Sequence, residues 1–473
     1  MDNKKNILDT EHVGNLLFKL AFPATVAMMV QALYNFVDTI FIGRGVGTLG
    51  IAAISIAFPF QMIIMAISQM IGIGGGSIIS RRIGEKNIAS AEKVMGNIFS
   101  TVILFGILFA VLGNIFMDNL LILFGSTPEI FQYAKDYLSI IVYSNIFFGF
   151  AMASNNVIRA QGHAKIAMIS MLISGISNIF LDPVFIFDKI DLKLFTIPGL
   201  NLGIAGAAYA TVLSQVIGVI YITAFILSGK SFLKFHIKNL KPDFKVIKET
   251  FAIGSAAFVR QVSGSVLTII LNNLLKNYGD SSSIAIYGVI NRLTMFALMP
   301  LFGISQGFLP IAGFNYGAKR YNMVKKSLFI TGITASVFST VGFVLLEIFP
   351  KQLISIFSPD TQLINDGSVA VRIVVAVLFL VGFQVVGSSL FQAIGKAAPS
   401  LLLSMSRQIL FLIPLLFIFS GLFGLIGIWI AFPIADFLSS LLTGFFVFSE
   451  IKILNRQHKE SVPKNISEIK ESV

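Results

Sequence analysis

The sequence predicts an all-α polytopic membrane protein, with twelve transmembrane helices in two pseudo-symmetric six-helix lobes. Three observations carry this. Of 473 residues, 55% are hydrophobic and only 12% charged, and the mean hydropathy is +0.85, too apolar for a water-soluble globule. The apolar residues fall in windows of about 20 that are apolar all round, as from Ile98 to Phe116, where a transmembrane β-strand would alternate. Small residues of the first half also recur in the second at an offset of 231 to 233: Gly72-Ile73 with Gly303-Ile304, Gly76 with Gly307, and Gly84 and Lys86 with Gly317 and Lys319.

The windows lie at 16 to 43, 50 to 79, 95 to 117, 137 to 158, 164 to 187 and 203 to 227, then at 250 to 275, 283 to 311, 327 to 349, 369 to 391, 397 to 419 and 424 to 448. The offset shortens to 221 at Gly203 with Gly424, Gly206 with Gly427 and Ala210 with Ala431, because the first half has a longer loop before its sixth span. An even number of helices per half gives parallel repeats about an axis along the membrane normal. The expected organisation is a lobe at 1 to 228, a linker at 229 to 249 that holds six lysines, a second lobe at 250 to 450, and a polar, disordered tail at 451 to 473.

The first span carries Gln31, Asn35 and Asp38 at i, i+4 and i+7, one polar face in an apolar helix, with Pro23 as its kink point. An ionisable group inside the membrane is a functional hypothesis by default, because its burial is costly. The glycine-dense Gly72-Ile-Gly-Gly-Gly-Ser77 closes the second span; without the Gly-Lys-Ser/Thr of a phosphate loop it reads as close packing or a hinge. Asn178 and Asp182 share a face of the fifth span, where Gly175 permits close helix approach and Pro183 removes a backbone donor. Ala207, Thr211 and Ser214 repeat that spacing in the sixth. Two neighbouring carboxylates in so apolar a setting should not both ionise. A shared proton resolves the conflict; so does sodium, for which Asp38, Asn178, Asp182 and Thr211 offer side-chain oxygens and Ala207 a carbonyl.

In the second half Asp38 maps onto Ile269 to Leu271 and Asp182 onto Ile413 to Leu415, so coupling belongs to the first lobe. The seventh span instead carries Gln261, Ser265, Thr268 and Asn272, the eighth Arg292, Met295 and Met299, and the tenth Gln384, Ser388 and Gln392. Amides and flexible thioethers suit a surface that accepts many shapes. Arg260, Arg292 and Arg407 lie within spans, with Asp436 as one available partner.

The net charge of +12 reflects topology. With the N-terminus inside, 25 Lys and Arg fall on inner segments and 7 on outer ones, so both termini are expected in the cytoplasm of a cell membrane. The basic residues face anionic lipid, and no nucleic-acid partner is expected. The absence of cysteine removes disulfides and thiolate metal sites. The four histidines lie outside secure helix positions, so neither an enzyme nor a metal cofactor is expected.

Three stretches carry a resemblance. Phe36-Val-Asp-Thr-Ile-Phe-Ile-Gly43, Asn178-Ile-Phe-Leu-Asp-Pro-Val-Phe-Ile-Phe187 and Gly307-Phe-Leu-Pro-Ile-Ala-Gly-Phe-Asn-Tyr-Gly-Ala-Lys-Arg320 resemble signature stretches of the multidrug and toxic compound extrusion (MATE) transporters, in the branch with an acidic first helix. The resemblance implies two six-helix lobes around a central cleft, alternating access, and export of amphipathic organic cations against proton or sodium entry. It also implies that Asp38, Asn35, Asn178, Asp182, Ala207 and Thr211 serve coupling. The expected coupling ion is H+ or Na+, the expected state a functional monomer. One rival, a flippase for lipid-linked or anionic amphipaths, requires the three arginines to make a basic cleft; another, a channel, would conduct without a coupled gradient.

Overall fold

The computed structural model describes residues 6 to 191 and 196 to 461. The first repeat runs α1 (Val13–Gly45), α2 (Thr48–Gly84), α3 (Ile88–Ile115), a short α4 (Met117–Leu123), α5 (Pro128–Ala160) and α6 (Ala164–Ile186). A hairpin, β1 (Lys189–Asp191) antiparallel to β2 (Thr196–Pro198), leads to α7 (Gly203–Leu227). A 3-10 turn at Ile237–Leu240 precedes the second repeat: α8 (Phe244–Tyr278), α9 (Ser281–Gly317), α10 (Tyr321–Ile348), α11 (Pro350–Ser355), α12 (Thr361–Val375), α13 (Val381–Ala393), α14 (Ala397–Met405) and α15 (Ile413–Ser461), with a π-helical stretch at Ser406–Leu412 between the last two.

Duplication shows in the backbone itself. α2 and α9 begin and end 233 residues apart, as do α3 and α10. Left-handed residues recur at the same spacing, Lys86 (φ 60) with Lys319 (φ 58) and Gly162 (φ 94) with Gly395 (φ 80), while Gly203 (φ 55) pairs with Gly424 (φ 59) at 221. The hairpin accounts for the shorter interval, since no strand is described in the second repeat.

Among the described residues, ten helices are long and apolar enough to cross a membrane, eleven when α12 and α13, which meet at 41°, are taken as one span. The last of these, Ala397–Glu460, is broken at Gly424 (φ 59, ψ −137). All twelve expected windows therefore lie on helix. Two helices that are continuous in the first repeat are interrupted in the second: α5 corresponds to the bent pair, and α6 to α14 with its π-helical continuation. The polar tail expected from residue 451 starts as helix, because α15 continues to Ser461 with an Arg456–Glu460 pair at 2.9 Å; residues 462 to 473 lie outside the described part.

The chain forms two compact units. The first contains Val26–Ile79 and Ile88–Gly254, and the second Ile7–Thr25, Ser80–Asn87 and the chain from Ser255. Glycine lets backbones meet in each. In the first, a Cβ at Gly74 would sit 2.1 Å from the Thr250 carbonyl oxygen, and one at Gly254 1.9 Å from that of Met70, so α2 and the start of α8 touch directly. In the second, Gly84 meets the Phe314 carbonyl and Gly317 that of Arg81, at 2.0 and 2.1 Å for the same imaginary atom. The latter contact is reciprocal between repeat-related residues, as a pseudo-twofold axis requires. The glycine-dense end of α2 is thus a packing surface.

Candidate functional site

Three helices of the first unit bring the acids together. Gly175 of α6 faces Val30 of α1, where a Cβ would stand 3.3 Å from the valine, and a Cβ added to Gly206 of α7 would stand 2.3 Å from the Phe185 carbonyl oxygen. These close approaches put Asp38, Asn178, Asp182 and Thr211 in one buried pocket. Asp182 and Asn178 are 0% exposed and Asp38 7%. The carboxyl groups of Asp38 and Asp182 lie within hydrogen-bonding reach of each other. The Asn178 amide donates to Asp182 Oδ1 at 3.0 Å, the i, i+4 contact expected on α6, and reaches Thr211 Oγ1 at 3.5 Å. Pro183 has no amide hydrogen, which frees the Ile179 carbonyl one turn back.

Asp38 Oδ1, Asp182 Oδ2 and Asn178 Oδ1 are buried with no hydrogen-bond partner. Ordinary packing avoids such orphans. The pocket is acceptor-rich and donor-poor, the composition that takes up a proton or an oxygen-ligated cation. Ala207 is fully buried beside it. Asn35 stands exposed on α1, where its carbonyl receives the Thr39 hydroxyl at 2.9 Å, and Gln31 is half-buried. Pro23 lies inside the continuous α1, just before the chain passes from the second unit to the first at Thr25 and Val26.

Sequence reasoning overlooked Tyr34, Tyr137 and Gln61. The Tyr34 hydroxyl bonds Thr211, and Gln61 donates to the Tyr137 hydroxyl at 3.4 Å. Tyr34 precedes Asp38 by four residues and so shares its face; nothing in an apolar α5 singles out Tyr137.

The second repeat replaces this pocket by hydrocarbon. The positions 233 beyond Tyr34, Asp38, Tyr137, Asn178 and Asp182 are Leu267, Leu271, Ala370, Phe411 and Leu415; the first three are buried in one apolar cluster, and Phe411 and Leu415 pack against it. Its polar residues sit elsewhere. Arg407 Nε bonds Asp436 Oδ1 at 2.6 Å, Gln384 donates to Ser439, and Ser388 and Ser404 are 3.1 Å apart. Gln384 and Ser388 are therefore buried and engaged with neighbouring helices. Ser265, Thr268 and Asn272 are exposed along α8, with Gln261 half-buried. Met295 is 58% exposed but Met299 only 9%, so the pair does not make one surface. Arg292 is exposed, and Arg260 lies 5.9 Å from the Phe302 ring centre.

Comparison with known proteins places this architecture. The MatE family model matches residues 23–184 and 256–418, one stretch in each repeat. The chain belongs to the MatE family. This MATE chain is 28% identical over 449 residues to the multidrug export protein MepA of Staphylococcus haemolyticus (strain JCSC1435), covering 95% of this chain and 96% of that protein. It is 25% identical over 447 residues to MepA of Staphylococcus aureus (strain N315), covering 94% and 96%. Among solved structures, the MATE multidrug transporter DinF-BH in complex with a dye superposes with a TM-score of 0.83 at 41% identity, covering 92% of this chain and 95% of that one. An outward-facing MATE family transporter at 24% identity, TM-score 0.85, covering 94% and 99%, shares the fold. The protein is a multi-pass membrane transporter of the multidrug efflux class, handling small organic substrates, and not an enzyme.

Proposed function

We propose that this MATE transporter is a secondary antiporter of the cell membrane, exporting amphipathic organic cations in exchange for entering protons or sodium, with the Asp38 and Asp182 pocket as the coupling site. The observation that carries this is the contact of two buried carboxyl groups surrounded by orphaned oxygens. Such a pair needs a positive charge between its members. A proton suffices for the carboxyl pair but leaves the buried, unpartnered Asn178 Oδ1 unsatisfied, which favours an oxygen-ligated ion.

In the proposed cycle, ion entry from outside neutralises the pocket, α1 repacks about Pro23, and substrate affinity falls while the path is open outward. Substrate leaves and the transporter resets by alternating access. The polar face of α8 is the proposed substrate surface, with Ser265 and Asn272 exposed on it beside Thr268, whose hydroxyl donates to the Gly264 carbonyl at 3.0 Å. The dye bound to DinF-BH supports an organic substrate of this kind. The flippase reading is the weaker one: the Arg407 charge is taken up by Asp436 and Arg260 lies against a ring. Both termini are proposed to be cytoplasmic, and the working unit a monomer.

The test is thermal unfolding of the purified protein as a function of sodium and of pH. The expected result is stabilisation by sodium or by protonation that Asp38→Asn abolishes while leaving the unliganded protein folded; equal ion responses in the variant and the wild type would refute the site.

A further inference from the structure

The segment between α7 and α8, residues 228 to 243, is strapped to the first unit by buried polar groups. Asn97 of α3, 1% exposed, accepts the Asp243 amide hydrogen at 2.6 Å and donates to the carbonyls of Asn239 at 3.1 Å and Lys241 at 3.3 Å. Gly96 beside it lets the strap lie flat: a Cβ there would stand 2.4 Å from the Asn239 carbonyl oxygen. Gln161 accepts from Ser231 and from the Leu233 amide, and Glu92 from the Lys234 amide. The backbone of the strap is thus held from one side.

Its other side has an unusual composition. Phe244 is 84% exposed and Ile237 78%, the highest values among the large apolar side chains described. Ile237 lies on the 3-10 turn and Phe244 at the first turn of α8. Lys230, Lys234, Lys238, Lys241, Lys245 and Lys248 surround them, all exposed. The acid within the strap, Asp243, is paired with Lys93 at 2.6 Å. Exposed apolar residues framed by exposed lysines, at the end of two membrane spans, match the chemistry of an anionic lipid surface: the side chains enter the acyl boundary and the ammonium groups meet phosphate.

We infer that this strap is a peripheral anchor that docks on anionic phospholipid head groups through Lys234, Lys238, Lys241 and Lys245, with Ile237 and Phe244 inserted beneath them. It is independent of the coupling site. Each lysine near a charged bilayer surface contributes about 1 kcal/mol, roughly a five-fold preference for the anionic lipid.

The chain contains a single tryptophan, Trp429, which makes an optical test possible. Full-length Phe244→Trp in a Trp429→Phe background is reconstituted in mixed phosphatidylcholine and phosphatidylglycerol vesicles, with bromine on the acyl chains of one lipid or the other. The expected result is several-fold stronger quenching by the brominated phosphatidylglycerol, falling to parity in high salt and when Lys234, Lys238, Lys241 and Lys245 are all changed to Gln. Equal quenching by the two lipids would overturn the anchor. Loss of the preference on adding glycerol phosphate would also overturn it, by assigning the lysines to a soluble anion. Where the tryptophan variant does not fold, the phospholipid retained by the purified chain gives the second reading: phosphatidylglycerol enriched in wild type and lost in the four-lysine variant supports the anchor, and an unchanged ratio rejects it.

Discussion

The repeats differ most sharply at single residues. At Asp38 and Asp182 the first repeat buries two carboxyl groups, whereas in the second Leu271 is buried and Leu415 packs against the same apolar cluster. In the second unit Arg407 and Asp436 compensate each other through two contacts, at 2.6 and 3.2 Å. Removing one member of such a pair strands the other, which costs about 3–5 kcal/mol, whereas replacing both with apolar residues is often nearly neutral. Arg407→Met is accordingly expected to lower the unfolding temperature markedly, and Arg407→Met with Asp436→Leu to recover most of it, measured by thermal unfolding in one detergent. The acids of the first repeat were legible in the sequence because a charged residue within an apolar window is conspicuous. Tyr137 and Gln61 were not, since their convergence depends on how α5 packs on α2.

Helices here meet through glycine, and the sequence shows which glycines repeat but not which are crowded. Gly84 has a carbonyl oxygen 2.0 Å from the position of its missing Cβ, while Gly264 has nothing within 4 Å. Gly84→Ala should therefore destabilise by about 1–3 kcal/mol through overpacking, and Gly264→Ala should gain about 0.5–1 kcal/mol from helix propensity; chemical or thermal unfolding of the two variants separates them. The strap has its own electrostatic latch. The Lys93 ammonium, and next the Lys245 amide, hold the Asp243 carboxyl below the usual carboxylate range. Its folded value being lowered, the latch contributes above the ordinary carboxylate value of about 3.9 and is lost as pH falls through the lowered one. At neutral pH Asp243→Asn should raise amide hydrogen exchange across residues 237 to 245, whereas the wild type should resist down to that acid range. The bend between α12 and α13 had no sequence signal, because no glycine or proline marks residues 376 to 380, whereas the π-helical stretch after α14 is followed by Pro414, whose missing amide hydrogen deprives the Leu410 carbonyl of its α-helical donor.

At the scale of the whole chain, apolar windows and a constant offset were enough to predict two sets of six helices, since lipid leaves helices as the economical way to satisfy the backbone. The asymmetry between the repeats gives that architecture direction: one repeat carries the paired acids proposed as the coupling site, and its counterpart is filled with Leu271, Phe411 and Leu415. Transport driven by an ion gradient should then depend on Asp38. The decisive measurement is efflux of an ethidium-type dye from proteoliposomes under an imposed proton gradient and, separately, an imposed sodium gradient, in wild type and Asp38→Asn. Efflux driven by one of the gradients in wild type and reduced to the leak rate in the folded variant is the expected result; gradient-driven efflux at the wild-type rate in Asp38→Asn would contradict coupling through this pocket.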